Sequence, residues 1–449
     1  MDIIRQMAIT PCSESAAYSN LQYLIQTGLN SGHESMPLVL LLLISLQCEV
    51  LLIANDSLPE ITQFHNTILS QCREVFPTIQ SQDFGLVAKE LAHISNAIVL
   101  IGSTSNPQAV IRLLLFGASN FAPSKFCLTC FHANFLQACI EGKMYNYAIK
   151  FLDNNPILEV DPENTHTLAS DYLKYFYYGA LCYIGKERYQ HAVDFLIQAI
   201  TLPATALSEI VIFALKKVIL LSLITTSTRF VLPKNAPNIV SKFYKSMEKA
   251  NQSSAVDFHE STASTYPTIH SIPEVYDQII LAYTNNDYDT LHNHIISNSD
   301  YISTLQQDQN YGLATSLLQF LIKNRIKKLT TAYITLSLSD IQRMCDPHMT
   351  CNTEDVLCIM ITNNDINAKI DHQTSMVRFN NHTDGGNNTS DIRNSICLLQ
   401  NYMDEAIGLS NRVRKLTTQA QTSSEYLKTL SSSSRGGYGA GDAELMDEM

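Results

Sequence analysis

The sequence predicts a mainly α-helical protein: N-terminal tetratricopeptide-like helical repeats in a solenoid, then a winged-helix subdomain, then a C-terminal helix. Three observations carry that prediction. Apolar residues recur at helical spacing through most of the first half of the chain. Small and large residues follow a helix-pair pattern between Phe131 and Pro203. A series of short helical segments then ends in two strand-like segments just before residue 380.

The repeat pattern is clearest where Phe176, Ala180, Tyr183, Ala192, Leu196, Ala199 and Pro203 fall close to the tetratricopeptide positions of large, small, large, Ala, large, Ala, Pro. Ala180, Ala192 and Ala199 let two helices approach, Tyr183 and Leu196 fill the space between them, and Gly185-Lys186-Glu187 makes the turn. Upstream, Tyr145-Asn146-Tyr147-Ala148-Ile149 and Leu152 echo Tyr189-Gln190-His191-Ala192-Val193 and Leu196 at a longer period than the standard one. A helix pair cannot bury its own face alone, so such units stack into a curved solenoid. An irregular helical bundle is the alternative this pattern leaves open.

Residues 225–273 change character. Thr225-Thr226-Ser227-Thr228 opens the stretch, Pro233 and Pro237 interrupt it, and Asn251 to Pro273 is rich in Ser and Thr. This composition predicts a linker around one short helix, Ile239 to Lys249, with a mobile insertion over 250–271. Helical pattern resumes at Glu274.

Leu313 to Lys323 and Ile326 to Ile334 read as two helices with a bend near Asn324. Ser339 is an N-cap for a short helix through Met344, and Thr353-Glu354-Asp355 opens another through Ile361. Lys369-Ile370-Asp371, a polar turn from His372 to Ser375, and Met376-Val377-Arg378-Phe379 read as a strand hairpin. Three helices and a hairpin in that order predict a winged helix over about 312–380.

A last helix runs from about Asp391 to Lys428, within a bundle segment 391–430. Ile392, Ile396, Leu399, Met403, Ala406, Val413 and Leu416 form a narrow apolar stripe along it, suited to a bundle seam. Ser431-Ser432-Ser433-Ser434-Arg435-Gly436-Gly437 ends regular structure, and the acidic, Gly-rich tail 431–449 is expected to be disordered.

Composition bounds the function. Only 16% of the 449 residues are charged, and hydrophobic residues make up an ordinary 45%. Asn, Gln, Ser and Thr cover part of the surface, and sparsely charged surface is also what interface cores look like. Thirty Lys+Arg against 42 Asp+Glu give a net charge of −12. This argues against nucleic acid or an anionic membrane as partner, since phosphate contacts need clustered cations. The 11 cysteines are scattered without a disulfide framework, which reads as reduced thiols in the cytoplasm or nucleus. The N-terminus lacks signal-peptide character, and the apolar run Leu38 to Leu46 is too short for a membrane span and reads as a buried helix.

Chemistry finds little support. His292-Asn293-His294 with Asp300 has the wrong spacing for a His-x-His zinc motif, and Asp289 to Ile296 reads as the surface of a helix. Cys127-Leu128-Thr129-Cys130 lacks a second pair, and two cysteines on a helix beside Phe126 and Phe131 read as small core residues. Cys345, His348, Cys351 and Cys358 can be drawn as four zinc ligands, but Cys358 reads as inward-facing beside Leu357 and Met360. Neither a phosphate-binding glycine loop nor a nucleophile elbow occurs. These readings predict no enzyme activity, no cofactor and no metal. The third helix of the winged helix, about Thr353 to Asn363, carries Glu354 and Asp355 and no Lys or Arg, which disfavours DNA reading. Arg325, Lys327 and Lys328 lie on an earlier helix and read as a solvated face.

Helical repeats, a winged helix and a terminal helix in this order resemble PCI-domain proteins. Tyr175-Phe176-Tyr177-Tyr178-Gly179-Ala180, Gln198 to Pro203 and Lys216-Lys217-Val218 through Ile224 are similar to the COP9 signalosome subunit 3 branch of that family. So are Tyr311-Gly312-Leu313, Ile326-Lys327-Lys328-Leu329-Thr330 and Leu336 to Asp340. The resemblance covers about 130–380.

Repeats are expected over 1–195 and a PCI domain over 196–380, helical to about 311. The resemblance implies a scaffold partnered by other PCI subunits and MPN subunits, acting on cullin-RING ligases through a complex that removes Nedd8 from cullins, with zinc held by a different subunit. PCI subunits of the proteasome lid or of translation initiation factor 3 are the alternatives. Two interaction elements are expected: the wing strand Met376, Val377, Arg378 and Phe379, pairing edge to edge with a neighbour, and the helix stripe anchored by Ile392, Ile396, Leu399, Met403 and Val413.

Overall fold

The computed structural model describes residues 41, 43–45, 48, 61–79, 84–102, 107–124, 126–250, 273–346, 352–363, 365–379 and 389–422. They belong to two compact units, residues 1–332 with 338–359, and residues 333–337 with 360–449. Within the apolar run at the N-terminus, Leu41, Leu43 and Ile44 are helical and buried.

The first unit is a succession of helices. They are α1 (Ile61–Val75), α2 (Phe84–Gly102), α3 (Pro107–Asn120), α4 (Cys130–Glu141) and α5 (Tyr145–Asn154). There follow the short α6 (Pro162–Thr165), α7 (Ala169–Ile184), α8 (Tyr189–Thr201), α9 (Glu209–Thr226) and α10 (Asn238–Ala250). After the undescribed 251–272, which contain most of the expected insertion, come α11 (Pro273–Thr284), α12 (Tyr288–His292), a π-helical turn Asn293–Ser297, α13 (Ser299–Gln307) and α14 (Tyr311–Ala332).

The helix pair α7/α8 is the one the sequence pattern describes. Ala180, Ala192, Leu196 and Ala199 are completely buried, and the Phe195 ring lies 5.4 Å from Phe176 and 5.2 Å from Tyr183. Gly179 is required by this approach. A Cβ there would sit 2.7 Å from Phe195 Cδ1, a clash outweighing the ~1 kcal/mol that a helical alanine gains. One layer back, Gly117 of α3 meets the Phe131 ring of α4 in the same way. Polar ties add direction: Asn134 of α4 donates to Ser95 Oγ (2.7 Å) and Asn96 Oδ1 (2.8 Å) of α2.

Helix α9 is buried on nearly all sides from Ala214 to Ile224. Its two lysines reach a buried cluster at the α13–α14 turn. Lys216 Nζ pairs with Asp308 Oδ1 at 2.6 Å, and Tyr276 of α11 donates to Asp308 Oδ2 at 2.9 Å. Lys217 Nζ donates to Asn310 Oδ1 at 2.6 Å, and Asn310 donates to Tyr276 Oη at 2.8 Å. Gln309 holds a left-handed φ of 54° to make that turn.

Helix α14 is continuous where a bend near Asn324 was expected. No Pro or Gly interrupts it after Gly312, and Asn324 instead donates sideways to Ser227 Oγ and Tyr283 Oη, each at 3.0 Å. After it come β1 (Thr335–Ser337), α15 (Leu338–Cys345), α16 (Thr353–Thr362), β2 (Ala368–Asp371) and β3 (Met376–Phe379), the chain order of a winged helix. In the second unit these strands form one antiparallel sheet of order β1-β3-β2, with Leu336 opposite Val377 and Ile370 opposite Val377 from the other side. The last element is α17 (Thr389–Thr422). The rest of the expected helix and the 431–449 tail lie outside the described residues.

Candidate protein-protein interface

The wing strand is not where an edge lies. Because β3 is the middle strand, both sides of Met376–Phe379 are already hydrogen-bonded within the chain. Val377 and Phe379 point into the fold and are buried, while Met376 and Arg378 are exposed. This corrects the edge-to-edge expectation for these four residues. The cause is β1, a three-residue strand between the expected helix end at Ile334 and the Ser339 cap, a stretch to which the sequence reading assigns no element. Its period-two pattern, Ile334, Leu336 and Leu338 alternating with Thr335 and Ser337, was the available signal.

The sheet therefore has its edges at β1 and β2. They differ in chemistry. On β2, Lys369 and Asp371 are exposed charges of the kind that discourage strand addition. The β1 edge carries no charge, and Tyr333 and Ile334 stand exposed just before it, Ile334 at 69%. Phe379 N–H donates to the Ile334 carbonyl at 2.8 Å. Antiparallel alternation then turns the backbone groups of Thr335 to the outer side.

Helix α17 carries the second expected element. Its described side chains are all exposed, including Ile396, Leu399, Met403 and Val413 of the expected stripe. The Ile392 side chain lies outside the described residues. Tyr402, Ile407 and Leu409 are exposed too, and Ile407 continues the Ile396–Leu399–Met403 spacing, which the sequence reading had missed. At ~1.5 Å per residue, these 34 residues form a rod about 50 Å long. Each large side chain gains ~1.5–3 kcal/mol when buried.

The residues weighed for chemistry are dispersed. Cys127 lies on an extended bridge opposite Glu159 and not on a helix, whereas Cys130 starts α4 behind a Thr129–His132 capping box. Burial pushes the Cys130 thiol up to about 12 and lowers the His132 imidazole to about 4, so both stay neutral. In the expected surface helix, Leu291 and Ile295 are buried and the His294 ring rests 5.3 Å from Tyr301.

Cys358 is exposed, correcting its inward assignment. Leu357 and Met360 take the buried face, and one residue of helix turns a side chain by roughly 100°. His348 and Cys351 lie outside the described residues. Among the described residues, no group of three or more His, Cys, Asp or Glu could hold a metal ion, and no helix is long and apolar enough to cross a membrane.

Arg325 is half-buried and not on a solvated face. It donates to the carbonyls of Met344 (3.3 Å) and Cys345 (3.4 Å), and its guanidinium lies 5.6 Å from the Tyr288 ring. Helix α16 begins with Glu354 and Asp355, a poor face for phosphate.

Comparison with known proteins adds an independent line. Residues 14–240 match the family described as COP9 signalosome complex subunit 3, N-terminal helical repeats, and residues 299–381 match the PCI domain. The COP9 signalosome complex subunit 3 of Dictyostelium discoideum is 25% identical over 372 residues, covering 82% of this chain and 80% of that protein. That of Drosophila melanogaster is 25% identical over 316 residues, covering 67% of this chain and 63% of the fly protein.

Proposed function

The chain belongs to the COP9 signalosome subunit 3 family, and from that premise we propose that it is a non-catalytic scaffold subunit of the COP9 signalosome. The observation that carries this reading is the order of the two family segments along one chain, subunit 3 repeats over 14–240 and a PCI domain over 299–381. The subunit joins other PCI and MPN subunits in a complex that removes Nedd8 from cullins of cullin-RING ligases. The zinc chemistry belongs to an MPN subunit, and the complex works in cytoplasm and nucleus. Two surfaces support a scaffold role: the uncharged β1 edge, suited to strand addition by a neighbour, and the uncovered stripe of α17, suited to a shared helical bundle.

The test is to purify the tagged chain from its native cells, identify its companions by mass spectrometry and assay the material for Nedd8 removal from cullin. Signalosome subunits, with activity abolished by zinc chelation and the complex still intact, are the expected result. Companions from the proteasome lid or from translation initiation factor 3 would overturn the assignment to this complex.

A further inference from the structure

At the turn between α4 and α5, cations gather around a recess in an otherwise acidic chain. Lys143, Lys150 and Lys186 line a surface cavity of about 310 Å³ together with Met144, Tyr145, Asn146 and Tyr147. Three pieces of chain build it: the α4–α5 turn, the first turns of α5 and the α7–α8 turn. Lys143 takes a left-handed φ of 54°, and its N–H donates to the Ile140 carbonyl at 3.0 Å. Met144 N–H closes the end of α4 on the Cys139 carbonyl at 2.8 Å. Gly185 brings the second turn against the Tyr145 ring, close enough that a Cβ would sit 3.1 Å from Cδ1. Both turns are therefore fixed by backbone geometry, which holds Lys186 beside the other two lysines.

Lysines usually form a solvated face. Here none of the three has a carboxylate partner among the described residues. The nearby Glu141 accepts from Gln137 at 3.0 Å, and Glu187, next to Lys186, does not line the cavity. Helix α5 also starts here without a side-chain cap, so its first N–H groups add positive potential to the lysines. With a net charge of −12, most of the surface repels an anion, and this recess is a local exception. Its volume is at the small end for ligand sites, too little for a nucleic-acid strand.

We propose that this recess binds the dianionic phosphate of a phosphate monoester, with Lys143, Lys150 and Lys186 as its charge partners. A lysine meets phosphate as a point charge with rotatable donors, and three of them match a group carrying about two negative charges. Tyr147, whose ring is braced 6.1 Å from Phe135, offers a half-exposed apolar surface to whatever carries the phosphate. The carrier is a phosphorylated serine or threonine of a peptide, or a small phosphate ester.

The experiment is fluorescence anisotropy on the full chain with a labelled phosphoserine peptide and its unphosphorylated twin, followed by competition with glycerol 3-phosphate. The phosphopeptide is expected to bind at least ~10-fold tighter than its twin. The Lys143→Gly/Lys150→Ala/Lys186→Ala variant should weaken it by ~10-fold or more, with unchanged circular dichroism because all three side chains are exposed. Glycine at 143 preserves the left-handed turn. A Lys89→Ala/Lys234→Ala control, outside the recess, should bind as the wild type does. Displacement of the peptide by glycerol 3-phosphate at equal concentration assigns the site to small esters, and its failure assigns it to peptides; both support the proposal. Equal binding of the two peptides, full affinity in the triple variant, or no binding of either phosphate probe at millimolar concentration overturns it.

Discussion

The Lys216–Asp308 pair is buried on both sides, and Asp308 also accepts from Tyr276. Removing one partner of such a pair strands a charge away from water, which costs ~3–5 kcal/mol. Asp308→Ala is thus expected to destabilise the protein by that amount, seen as a lower urea midpoint at unchanged slope. Lys217 behaves differently. Burial, with Lys216 adding to it and Asp308 opposing, lowers its ammonium from 10.5 to about 8. The folded chain then releases this proton near pH 8 while the unfolded chain holds it to 10.5, so the Lys217 contribution to stability grows as pH rises through that window. The buried thiols of Cys130, Cys139 and Cys182 act in the opposite sense, since the unfolded chain loses those protons first. The readout is therefore a difference: between pH 8 and 9.5, stability of the wild type relative to Lys217→Met should rise by up to ~1.4 kcal/mol per pH unit. The lysines stand in one of the stretches on which the sequence resembles the family, but their burial was not legible. Their partners lie 92 and 93 residues away, and only the fold brings them together.

Among the secondary-structure elements, the sheet and the last helix make opposite demands on substitution. Thr335 turns its backbone outward on β1, so Thr335→Pro leaves the ladder to β3 intact while removing an edge donor. The expected result is an unchanged melting temperature for the chain and loss of a neighbouring PCI subunit in a pulldown. On α17, Ile396→Glu/Leu399→Glu/Met403→Glu should change stability by less than ~0.5 kcal/mol, since the side chains are already exposed, yet abolish co-assembly. Intact assembly in that pulldown would remove the helix from the interface. Periodicity made the helices legible because Ala180, Ala192 and Ala199 mark close approach directly in the residue type. The alternation from Ile334 to Leu338 signals β1, but it is short and follows directly on a helix, and missing it moved the expected edge from β1 to β3. The stripe on α17 was visible because nothing in the chain breaks its spacing. Ile407 escaped notice beside Ala406, since either can continue the same row.

For the molecule as a whole, the sequence composition and the fold point the same way. The buried thiols and the buried His132 are held neutral, which suits packing and leaves no activated nucleophile among them. The first unit buries most of its large apolar residues between its helices, whereas α17 in the second exposes Ile396, Leu399, Met403 and Ile407 along one row. That asymmetry has a bearing on the life of the protein in a cell. A copy without companions displays about 50 Å of helix that resembles an unfolded segment to any chaperone or protease that surveys apolar surface. Its abundance is then expected to follow the supply of companions more than its own synthesis, with surplus copies cleared until numbers match.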